Sequence, residues 1–165
     1  MLHRRHAISI LLAGLSVTTL MPSTGRADQR FRRFLPFLVE LKGWTGQEPT
    51  GFAMENAGMS MVTATREYRR NDARLNAGLV SGPLAAAFTS PNAGMNIETT
   101  GWRMNTKTID GFPVMKSFTA ADSSGSILVS LDKEVMFTFS YNGISEDEAM
   151  GLAKQFNWKS MQAAF

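Results

Sequence analysis

The chain contains no cysteine, and its only two histidines, His3 and His6, stand within the first six residues. From Asp28 onward there is therefore neither His nor Cys. That excludes the Ser-His-Asp and Cys-His nucleophile arrangements. It also excludes His/Cys zinc sites, histidine-ligated haem, iron–sulfur clusters and disulfides. A glycine-rich phosphate loop is lacking as well. With the usual nucleophiles and bases missing, catalysis has only carboxylates to draw on, and the sequence reads as a non-enzyme that calls for no cofactor.

The first 27 residues read as a cleavable secretory leader. Met1 to His6 is basic, Ala7 to Leu20 carries no charge, Pro22 breaks the run, and Gly25-Arg26-Ala27 puts small residues at −3 and −1 of a cut before Asp28. The apolar run is shorter than the ~20 residues that a membrane span needs. The expectation is a periplasmic or secreted protein with no transmembrane segment after cleavage. Arg4-Arg5 leaves both the general and the twin-arginine route open.

Removing the leader changes the charge. Three of the 17 Lys and Arg stand in it, leaving 14 against 14 Asp and Glu, so the net charge of +3 falls to zero. A basic footprint for nucleic acid is absent.

Residues 28–165 are enough for one domain with a sizeable core, and no repeat or long linker divides them. Phe31, Phe34, Leu35, Leu38 and Leu41 have helical spacing over residues 30–41, with Pro36 expected to kink that helix or delay its start. Strands are expected at 59–69, 73–80, 98–108, 113–120, 126–131 and 135–141, with turns at Asn71-Asp72, Asp110-Gly111 and Asp122 to Gly125. Pro83 to Phe88 reads as a short helix. A closing helix starts at Ser145, with Glu148 completing a capping box, and Asn157 caps a last turn carrying Trp158 and Met161. Gly43 to Gly51 and Thr89 to Gly94 read as flexible. The expected fold class is α+β: an antiparallel sheet of about six strands covered by N- and C-terminal helices.

Four clusters are candidates for chemistry. Met54, Met59 and Met61 offer soft thioether donors suited to Cu(I), and Met95, Met104 and Met115 could add to them; the structural alternative is that methionine fills irregular core space. Arg66, Arg69, Arg70 and Arg74 cluster about one hairpin and suit a phosphate or carboxylate, although the interleaved Glu67 and Asp72 allow simple cross-strand pairing. Glu146-Asp147-Glu148 is explained by the helix dipole and cap. Arg30 to Phe34 either rests on an anionic membrane surface or docks its phenylalanines on the sheet with the arginines in water.

Leu41-Lys42-Gly43-Trp44 with Glu48-Pro49, then Gly58-Met59-Ser60-Met61 leading to Arg66-Glu67-Tyr68, resemble a group of uncharacterised exported bacterial proteins. The strand at 135–141 followed by a capped helix and a last helical turn resembles that group too. The resemblance implies a small α+β domain similar to the PsbP/Mog1-like fold, and it carries no catalytic residues. The expected function is a non-catalytic periplasmic domain binding a protein partner or small ligand; the alternative is Met-based Cu(I) binding.

Overall fold

The computed structural model describes residues 30–56, 59–89 and 95–165, with backbone only at Met59 and Thr89. The leader therefore lies outside the described residues, as do 90–94. Nine strands make one antiparallel sheet: β1 (Thr45–Gly46), β2 (Thr50–Asn56), β3 (Met59–Arg70), β4 (Ala73–Ser81), β5 (Asn96–Thr99), β6 (Trp102–Ile109), β7 (Phe112–Thr119), β8 (Ser124–Asp132) and β9 (Val135–Asn142). Their order is β1-β3-β4-β9-β8-β7-β6-β5, with β2 also paired to β3. The helical pieces are a 3₁₀ turn at Leu35–Phe37, α1 (Pro83–Thr89), α2 (Glu146–Ala153) and α3 (Trp158–Gln162).

The molecule is thus mostly β, which corrects the expected α+β fold of about six strands under helices. The extra strands come from three places. Thr50–Asn56, in and just after the glycine-rich stretch expected to be flexible, pairs along its whole length with β3. Thr45 and Gly46 pair with Arg69 and Tyr68. The single strand expected at 98–108 folds back at Gly101, so that Thr99 pairs with Trp102. The helices are also too small to form a layer. The eight residues of α2 span about 12 Å at 1.5 Å per residue, whereas eight strand positions extend about 35 Å. The helix expected over 30–41 is interrupted: residues 30–32 are helical, and Pro36 lies in the separate 3₁₀ turn, where its missing N–H costs nothing.

Period-2 alternation gives the sheet two unlike faces. The inner face holds the core: Val62, Ala64 and Tyr68 of β3, Leu75, Ala77 and Leu79 of β4, Ile127, Val129 and Leu131 of β8, and Phe137, Phe139 and Tyr141 of β9. Phe34, Leu38, Leu41 and Trp44 pack on it from the N-terminal side, and Ala149, Leu152, Phe156, Trp158 and Met161 from the C-terminal side. Phe137 sits at the centre, its ring 5.0 Å from Phe156 and 6.5 Å from Trp158.

The outer face is only partly covered. Helix α1 packs against β3, β4, β8 and β9, burying Ala85 and Met136. Gly82 makes that placement possible: a Cβ there would meet the Ser60 carbonyl oxygen at 2.2 Å, and its φ of +117° is one that side chains resist. At the distal hairpin, Asp110 and Gly111 have φ of 53° and 91°, the type I′ turn that an Asp-Gly pair favours. Among the described residues no helix is long and apolar enough to cross a membrane.

Candidate functional site

The four hairpin arginines do not act as one cluster. In β3, even-numbered residues face the core and odd-numbered ones face outward, so Arg66 and Arg70 lie on the inner face. Arg66, 9% exposed, donates from Nε to the Gln47 carbonyl (2.7 Å) and from Nη1 to the Leu38 carbonyl (2.8 Å), and pairs with Glu40. Beside it the Tyr68 hydroxyl donates to the Val39 carbonyl at 2.7 Å. Together they clasp the Leu38–Gln47 segment, which includes β1, onto β3. Arg70 bonds Glu148 of α2 at 2.5 Å and lies 4.3 Å from the Trp44 ring. Both of these arginines are consumed by the fold.

Arg69 and Arg74 are placed differently. They stand directly opposite each other in the β3–β4 ladder, on the outer face. Like charges in that position repel. Glu67 approaches Arg69 only to 3.8 Å, and both of those side chains are more than half exposed. Arg74 has no carboxylate partner among the described residues. The two arginines border a recess of about 240 Å³ together with Glu67, Asn76, Ser140 and Asn142. The ladder explains the set: Glu67 pairs with Asn76 and Asn76 with Ser140, while Arg69 pairs with Arg74 and Arg74 with Asn142. Two forked cations, two amides and a hydroxyl thus share one end of the open face. The polar strip continues through Ser126 and Ser117, whose hydroxyls are 2.8 Å apart. Asn76, Ser140 and Asn142 are polar residues that give no hint of a site until the ladder register is known.

The methionines divide too. Met54 stands directly opposite Met61 on the outer face of the β2–β3 hairpin, and Met54 is 40% exposed. Met59 pairs with Asn56 through its backbone. Met104 and Met115 belong to β6 and β7, on the far side of β4, β9 and β8, and Met95 precedes β5 at that same far edge. Those three do not join the hairpin pair.

Other candidates are structural. Glu146 pairs with Arg103 and Glu148 with Arg70, while Ser145 accepts from the Glu148 N–H at 3.2 Å. Among the described residues no three acidic, His or Cys side chains converge to hold a metal. Near the N-terminus, Phe34 is fully buried and Phe31 packs on the core, while Arg30 bonds Glu55 (2.5 Å) and the Ser60 hydroxyl (3.0 Å). The phenylalanines dock on the sheet, as the second of the two readings expects. A further recess of about 590 Å³ lies at the start of α2. Arg103, lying 4.6 Å from the Phe118 ring and paired with Glu146, borders it, and Asp122 and Asp147 add to its acidic rim.

Burial raises the Tyr68 hydroxyl to about 12, against a smaller lowering by Arg66. Burial likewise raises Tyr141 to about 12, with Glu146 adding to it. Both tyrosines stay neutral over the physiological range and serve the core.

No family model, curated protein or solved structure matches the chain. The resemblance to exported bacterial proteins rests on its short motifs alone.

Proposed function

We propose that the chain is an exported, non-catalytic binding domain that engages a protein partner through the open outer face of its sheet. The observation that carries this reading is the apolar surface left on that face. Phe52 (53% exposed) and Met54 project beside one edge, Ile97 and Trp102 near the other, and α1 presents Leu84 and Phe88 between them. Exposed aromatic and aliphatic groups of this kind are what a protein interface buries. The leader-like residues 1–27 supply the export part of the reading.

The test is capture from the exported fraction of the source cells, using residues 28–165 as bait. The expected result is a reproducible partner lost with the double variant Phe52→Ser/Trp102→Ser. Equal capture by wild type and variant would remove the outer face from the function.

A second reading, Cu(I) binding, is favoured by the direct opposition of Met54 and Met61 on that face. A Cu(I) competition titration with bicinchoninate decides it. Retention by wild type and loss in Met54→Leu/Met61→Leu supports it. No retention by wild type ends it.

A further inference from the structure

We infer that the recess between Arg69 and Arg74 is a binding site for a small oxyanion, a carboxylate or phosphate of metabolite size. Three observations converge. The first is charge: two guanidinium groups stand cross-strand from each other on an open face, a placement that repels. On the inner face of the same strand, Arg66 and Arg70 each receive a carboxylate. On the outer face only Arg69 is approached by one, at 3.8 Å, and Arg74 has none among the described residues. An anion seated between Arg69 and Arg74 turns the repulsion into attraction on both sides.

The second observation is shape. The recess is an open hollow of about 240 Å³. That accommodates a phosphate or a short dicarboxylate. The third is donor chemistry. Guanidinium forks match the two oxygens of a carboxylate or phosphate edge. Asn76 and Asn142 have amides and Ser140 has a hydroxyl along the same rim. Asn142 already gives one N–H to the Asp122 carbonyl at 3.0 Å, which fixes its side chain in place. Glu67, 3.8 Å from Arg69, puts a negative charge on the same rim, so the oxyanion sits toward Arg74, and a ligand hydroxyl beside the oxyanion is what Glu67 accepts from.

This site stands at one end of the face assigned to a protein partner, but it is read with a purified chain and a pure salt. Failure of partner capture therefore leaves it intact, and the converse holds.

The experiment is a titration of the ¹⁵N-labelled chain (residues 28–165) at low ionic strength, with inorganic phosphate and with succinate as separate probes. The amides of Asn76 and Ser140 shift saturably with at least one probe. Saturation by succinate alone assigns a carboxylate ligand, and by phosphate alone a phosphate ligand; saturation by both supports the shared oxyanion chemistry. Arg74→Gln weakens binding roughly tenfold or more, whereas Arg70→Gln, on the opposite face, binds like wild type. Melting supplies a second readout. Arg74→Gln melts higher than wild type in the absence of anions, because the cross-strand repulsion is gone. The stabilisation that anions give wild type is missing from the variant. The inference is overturned if neither probe saturates below about 50 mM, far weaker than the millimolar range of ordinary weak ligands, or if Arg74→Gln binds as wild type does.

Discussion

The two faces of one strand treat the same side chain in opposite ways. On the inner face of β3, Arg66 is nearly enclosed and spends its guanidinium on two backbone carbonyls and Glu40. On the outer face three residues later, Arg69 is more than half exposed, and its cross-strand neighbour is a second arginine. Desolvation makes the difference. A buried guanidinium must satisfy its donors within the protein, and Arg66 does so by holding the Leu38–Gln47 segment in place. An exposed one keeps its water and remains available to a ligand. Strand alternation alone turned one arginine cluster into a clasp and a candidate site.

The sharpest way to break this comparison is to truncate an aromatic on each face. Phe137→Ala, at the centre of the inner face, is expected to cost about 3–5 kcal/mol in urea unfolding. Phe52→Ala, on the outer face, is expected to change stability by about 0.5 kcal/mol or less. Equal losses would mean that the outer face is packed. The arginines give the next largest effect. Arg66→Met leaves two carbonyls without their charged donor and is expected to cost about 3 kcal/mol. Arg69→Met breaks no buried bond and removes the cross-strand repulsion with Arg74, so it should shift the unfolding midpoint only slightly, and upward.

The tyrosines sharpen the contrast with pH. Both tyrosines of the chain, Tyr68 and Tyr141, lie on the inner face and are held near 12 against 10 in the unfolded chain. Between those values the unfolded state gives up protons that the folded state keeps. Stability is therefore fully present below pH 10 and falls as pH rises toward 12. Near-ultraviolet absorbance during an alkaline titration checks this. Tyrosine ionisation should coincide with unfolding, and a smooth titration at pH 10 in a folded chain would contradict it.

Much of this was legible in the sequence. The hairpin of β3 and β4 follows from Val, Thr and Tyr enrichment around Asn71-Asp72, and the β9–α2 junction from alternation running into Ser145 and Glu148. Even there the capping box is half formed: Ser145 caps α2, and the Glu148 carboxylate reaches Arg70. What escaped the sequence were strands lacking a buried face. All four residues of β5 are exposed, and none of the seven in β2 is fully buried. Without a solvent-hidden stripe there is no hydrophobic period to read, and pairing with β3 or β6 alone defines them. The site was half legible for the same reason. Arginine enrichment pointed to the hairpin that carries the candidate recess, but only the ladder register separates Arg69 and Arg74 from Arg66 and Arg70, and only sheet order brings in Ser140 and Asn142.

The most direct test of that separation is the rate at which an arginine-selective dicarbonyl such as phenylglyoxal modifies each guanidinium in the native chain, followed by mass spectrometry with and without phosphate or succinate. Arg69 and Arg74 should react early and be protected together by at least one of the two anions, while Arg66 stays unmodified until the protein unfolds. Modification of Arg66 as fast as Arg74, or no protection by either anion, would contradict the account.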